Sequence, residues 1–248
     1  MKRRIESLIG FAISGIDGEI GKVKEFYFDD ESWTIRYMIV ETGSWLFSRK
    51  VLISPESILT TELEQKIFQV NLTMKQIKNS PLIDTDKPVS RQHEMALYSH
   101  YPWGAYYWGG GMGSLGMGMS YPISIYADTK KDKEEDGDIH LRSTDKVKGY
   151  HIKATDGEIG DVEDFIINDC NWKIDFMLVD TGNWFPGKKV IISPKWIKEV
   201  NWEKSTVIVN ASEEQVKHSP EYQPDQELSE SHESNLQNYY GRFISHKQ

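Results

Sequence analysis

The chain contains the same pattern twice. Asp17-Gly-Glu-Ile-Gly21 returns as Asp156-Gly-Glu-Ile-Gly160, an offset of 139 residues. The same offset carries Trp33 onto Trp172, Val40 onto Val179, Thr42-Gly43 onto Thr181-Gly182, Trp45 onto Trp184 and Ile53-Ser-Pro55 onto Ile192-Ser-Pro194. Residues 10–81 and 149–220 share 30 identities in 72 positions without a gap. Chance would match roughly one position in fifteen to twenty at ordinary composition. The spacing is far too long for a solenoid repeat, so it predicts two copies of one small domain, each with a small core of its own. A deep catalytic pocket has little room in such a unit.

The punctuation within each copy is that of short strands. Asp17-Gly18 is a hairpin signal, because both residues tolerate positive φ. Val23 to Asp30 reads as a strand. Trp33 to Val40 reads as another, with Ile35, Tyr37 and Ile39 alternating onto one face. Thr42-Gly43 turns the chain, and Lys50 to Ile53 forms a strand that stops before Pro55, which cannot donate to a ladder. Ile67 to Leu72 is a further strand. Thr73-Met-Lys-Gln76 and Ser212-Glu-Glu-Gln215 are capping boxes that open helices of about two turns. Both helices stop at Ser-Pro, since the residue before proline avoids the α region.

Composition shifts between the copies. Tyr101 to Trp108 is an aromatic knot, Gly109 to Met119 is rich in glycine and methionine, and Asp128 to Asp138 is charged. The organisation expected is a first barrel with its C-terminal extension over 1–100, a linker over 101–145 and a second barrel with its extension over 146–248. The fold class expected is mainly β: two small barrels, each with a short C-terminal helix, related by internal duplication.

These features resemble the PRC-barrel family. The residues that carry the resemblance are Gly10, the Asp17–Gly21 turn, the Tyr37-Met-Ile-Val40 strand, the Thr42-Gly43-Ser-Trp45 turn and Lys50-Val-Leu-Ile-Ser-Pro55, and the ordered set occurs twice. That family includes the cytoplasmic domain of the photosynthetic reaction centre H subunit and the C-terminal half of a ribosome maturation factor. The resemblance implies a small β-barrel that binds protein rather than an enzyme, and it brings no catalytic motif and no cofactor.

The 248 residues carry a net charge of −9. Residues 10–81 contribute 8 − 10 = −2 and residues 149–220 contribute 8 − 12 = −4. Neither copy is basic, so direct nucleic-acid binding is not expected. Glu6, Asp17 and Glu19 interrupt the stretch after the basic start, so no signal peptide is expected. No apolar run reaches 18 residues, so no transmembrane segment is expected and the location expected is cytoplasmic. Association with a membrane would go through a partner. A homodimer is left open.

The aromatic residues are the best functional lead. Trp45 and Trp184 sit in turns ahead of basic pairs that begin at Arg49 and Lys188, and Trp beside a cation is a frequent protein-binding anchor. Trp103, Tyr106, Tyr107 and Trp108 of the aromatic knot would form a large apolar patch if left exposed. These eight residues are the candidates for contact with a protein partner. His93-Glu94 and His232-Glu233 match between copies and form a weak metal-ligand set, because adjacent residues point apart and neither copy has a second His at helical spacing. Asp17, Glu19, Asp156 and Glu158 read as turn residues. Cys170, the one cysteine, lacks the setting of a nucleophile and excludes an intrachain disulfide. A reaction centre H-subunit-like role in assembly or electron transfer is the second reading, and a metal-dependent enzyme is the third.

Overall fold

A computed structural model of the chain describes residues 1–81, 97, 100–101, 140–182, 188–223 and 228–244. Strand β1 (Lys2–Arg4) leads into a 3₁₀ turn at Ile5–Leu8. The first half then runs β2 (Ala12–Ser14), β3 (Glu19–Asp29), β4 (Thr34–Thr42), β5 (Lys50–Ile53), β6 (Ile58–Glu62), β7 (Ile67–Val70) and helix α1 (Met74–Lys78). The second half opens with β8 (Leu141–Ser143) and helix α2 (Thr144–Val147). It continues β9 (His151–Lys153), β10 (Glu158–Asn168), β11 (Lys173–Asp180), β12 (Lys189–Ile192), β13 (Ile197–Asn201), β14 (Thr206–Val209), α3 (Glu213–Lys217) and α4 (Glu230–Ile244).

The molecule is mainly β, and each half is a small barrel-like sheet. In the first half the strand order is β5-β4-β3-β2-β7-β6, with β2 and β7 parallel and the other pairs antiparallel. Two register shifts in β3, at Val23/Glu25 and Tyr27/Phe28, recur in β10 at Val162/Asp164 and Ile166/Ile167. Such shifts bend a long strand and let one 11-residue element curve around a core. Gly21 and Gly160, which end the repeated five-residue motif, sit where a Cβ would lie 2.1 Å from the Glu41 carbonyl and 2.0 Å from that of Asp180. The repeated glycine is therefore required by close strand approach.

The capping boxes form as the residue types dictate. Gln76 Oε1 accepts from the Thr73 backbone N–H at 2.8 Å, and Gln215 does the same for Ser212 at 2.8 Å. Both helices are shorter than expected, at five residues each. Strand β4 also departs from simple alternation: Met38 and Val40 are as fully buried as Tyr37 and Ile39. Both faces of the strand join one apolar cluster.

The two halves exchange strands in space. β1 does not pair within its own half. It pairs antiparallel with β10, Arg3 opposite Ile167. Reciprocally β8 pairs with β3, Arg142 opposite Phe28. Residues 141–145, placed within the expected linker, are strand and helical turn. The strand order β10-β11-β4-β3 joins the two halves into one 14-stranded sheet. At the junction Ile35 N–H donates to Trp172 O at 2.8 Å and Ile174 N–H donates to Trp33 O at 2.7 Å. Trp172 stacks on Phe26 and packs against Phe68, and Phe28 packs against Phe165. The expected pair of separate cores is thus a single contiguous one, because the seam is built of aromatic side chains rather than polar ones.

Candidate binding surface

Each sequence candidate within the described residues has a definite place. The Thr42–Arg49 turn is tied at its neck: Thr42 donates through both its N–H and its hydroxyl to Arg49 O, at 2.8 and 2.9 Å. Trp45 folds back and donates its indole N–H to Ile20 O at 2.9 Å, half-buried against the core. Phe47 and Ser48 come next in left-handed backbone, φ 54° and 53°, and Phe47 is 95% exposed. An exposed Phe in that region is uncommon, since only Gly, Asn and Asp adopt it readily.

The two cations predicted to meet a partner face inward to their own chain. Arg49 donates to Ser80 O at 2.5 Å, Pro81 O at 2.7 Å and Lys78 O at 3.2 Å. Lys188, its counterpart at the 139-residue offset, donates to Ser219 O at 2.8 Å and to Lys217 O. These are carbonyls in and just after the last turns of α1 and α3, which lack partners within the helix. Burial holds the Lys188 ammonium below its ordinary pKa. Arg49 and Lys188 therefore act as helix C-caps, and no local pattern announces this contact because it joins residues some thirty positions apart.

The repeated acids also act on the fold. Asp17 accepts from the Met74 N–H at 2.7 Å and Asp156 from the Glu213 N–H at 2.8 Å, each at the first turn of a helix. Sequence reasoning missed a second repeated acid. Asp30 accepts from Arg142 Nε at 2.7 Å, and Asp169 accepts from Arg3 Nε at 2.7 Å. Each aspartate clamps the strand that arrives from the other half. The signal was present: Arg3 and Arg142 are themselves one offset apart, just upstream of the stretch where the repeat is dense.

His232 and Glu233 do not converge. The His232 ring lies edge-on to Tyr222, and Glu233 pairs with Lys2 at 3.5 Å. Among the described residues no three His, Cys, Asp or Glu side chains lie close enough to hold a metal ion. His93, Glu94, Trp103, Tyr106, Tyr107, Trp108 and Trp184 lie outside the described residues. Of the aromatic knot only Tyr101 is described. It is buried, and desolvation pushes its hydroxyl up to about 12. Tyr240, one offset away, is buried likewise and pushed up to about 12.

A cleft of about 480 Å³ opens where the halves meet. Its walls are residues 34–36 of β4, residues 54–56, residues 58–61 of β6, and the turn 169–172 from the other half. Cys170 is exposed on this turn.

Residues 2–77 match the family model of the PRC-barrel domain. The chain carries a PRC-barrel domain in its first half. No curated protein matches the chain. The matched stretch begins with β1, so the PRC-barrel of the first half contributes its leading strand to the sheet of the second. The second half repeats the PRC-barrel's element order at the 139-residue offset, β10 for β3 and β11 for β4. Among the described residues no helix is long and apolar enough to cross a membrane.

Proposed function

We propose that the protein is a non-enzymatic binding module, a scaffold for a protein partner, acting in the cytoplasm. The observation that carries this reading is the placement of its charged groups. Arg49, Lys188, Asp17, Asp156, Asp30 and Asp169 each complete a helix end or clamp an exchanged strand. Those pairs recur symmetrically in both halves, as groups that maintain a scaffold would. A general acid or base instead needs a group positioned on a substrate, with a pKa tuned to the task. The described carboxylates whose pKa is raised, Glu25 and Asp164, owe it to burial under β8 and β1 and hydrogen-bond to Ser143 and Arg4. The mildly acidic halves support a protein partner over nucleic acid.

The test is twofold. Affinity capture from the native cell should recover one protein in stoichiometric amount, with the chain in the soluble fraction. Panels of acyl, phosphoryl and glycosyl reporter substrates should show no turnover. Saturable turnover abolished by a single substitution, with the fold intact, would sink the reading.

A further inference from the structure

Strand β6 ends the sheet. Among the described residues it pairs with β7 alone, and its other edge faces the cleft at the junction of the halves. Open edges are hazardous, and proteins normally guard them with charge or proline. The counterpart strand β13 obeys that rule, with Lys198 and Glu199 exposed at its centre. In β6 the same two positions are Leu59 and Thr60, with Thr61 after them; all three are exposed, Leu59 at 63%. Both edge strands carry a bulge, at Ile58/Thr60 and at Ile197/Glu199, but only β13 adds charge at its centre; the centre of β6 is uncharged and lies inside a cleft. β-branched residues favour pairing, so this edge is built to accept a strand.

We propose that β6 takes up an extended segment of a partner protein by strand addition, a segment that is apolar at its centre and basic at its flanks. This rests on the binding-module reading and names the surface that would serve it. Main-chain hydrogen bonds to β6 would supply affinity, and the Leu59 side of the cleft would select apolar side chains. Charge picks the occupant. Glu56 and Glu64 flank the strand and are exposed, and Glu62 sits at its end, whereas Asp169 on the facing turn is already met by Arg3 and the Met1 amino group. Arg36 in the cleft is already paired with Asp29 at 3.6 Å. A second copy of this chain would bring like charges together: antiparallel pairing centred on Thr60 sets Glu56 opposite Glu64, and opposed like charges destabilise a pair. A basic-flanked segment from another protein meets no such repulsion.

The probe is a capped synthetic peptide, Lys-Lys-Val-Thr-Val-Thr-Val-Lys-Lys, with a version carrying proline for its central valine as control. Amide hydrogen exchange of the intact chain is read by NMR. With the first peptide, alternate amides of Ile58–Glu62 should slow by about tenfold or more, while the proline version leaves them unchanged. Thr60→Lys, placing a charge at the centre of β6 where it repels a basic-flanked segment, should weaken peptide binding by about tenfold with circular dichroism unchanged. Unchanged β6 exchange at saturating peptide, equal protection by the proline version, or unaltered binding by the Thr60→Lys variant would each overturn the proposal. Concentration-dependent dimerisation with β6 protected in the absence of peptide would make a second copy the occupant and overturn it too. If the Thr60→Lys variant captures the cellular partner undiminished, this surface is wrong while the binding-module reading stands.

Discussion

Asp164 shows how one residue binds the two halves. It is 1% exposed, accepts from Arg4 Nε at 2.9 Å and from the Phe165 N–H at 2.8 Å, and lies under the incoming β1. Burial raises its pKa in spite of Arg4. A carboxyl whose folded pKa is raised contributes stability that is full below its unfolded pKa. That contribution is lost as pH rises through the folded pKa. Arg4→Met removes the compensating cation and should cost about 3 kcal/mol in urea unfolding. The penalty should be larger at neutral than at mildly acidic pH, because protonated Asp164 no longer needs a cation. A pH-independent loss would show that Arg4 acts through packing alone. The partner position is different: Ser143 occupies the place of Arg4 and donates to Glu25. Nothing in the repeat motif hints at either contact, since both pair residues more than a hundred positions apart.

The short helices were legible as elements, and their supports were not. Thr73, Gln76, Ser212 and Gln215 announce the N-termini by type and spacing, because a hydroxyl and an amide three residues apart satisfy the first free N–H groups reciprocally. The aspartate that adds a third acceptor comes from a hairpin more than fifty residues earlier. Asp17→Ala should therefore lower stability by about 1 kcal/mol. Amide exchange of Met74 should quicken more than that of the strands. Unchanged exchange at Met74 would show that the Asp17 contact contributes nothing. The cations beyond these helices teach the same lesson. Arg49 and Lys188 lie beside a Trp turn, a setting that reads as a partner anchor in one dimension, and in three dimensions they close helix ends.

At the scale of the molecule the decisive event is reciprocal exchange. Each half sends its leading strand to the other, each strand is clamped by an Arg–Asp pair, and the two sheets fuse at Trp33 and Trp172. One core should melt as one unit. Calorimetry of the intact chain should give a single transition with matching calorimetric and van't Hoff enthalpies. Two separable transitions would show the halves to be energetically independent. The sequence by itself determined the β class, the turn positions, the helix caps and the PRC-barrel character, because each depends on residue types a few positions apart. Only the tertiary structure decided which half owns each strand, that the cores merge, and which strands end the sheet. Those are long-range pairings, and the backbone groups that make them are the same for every residue type.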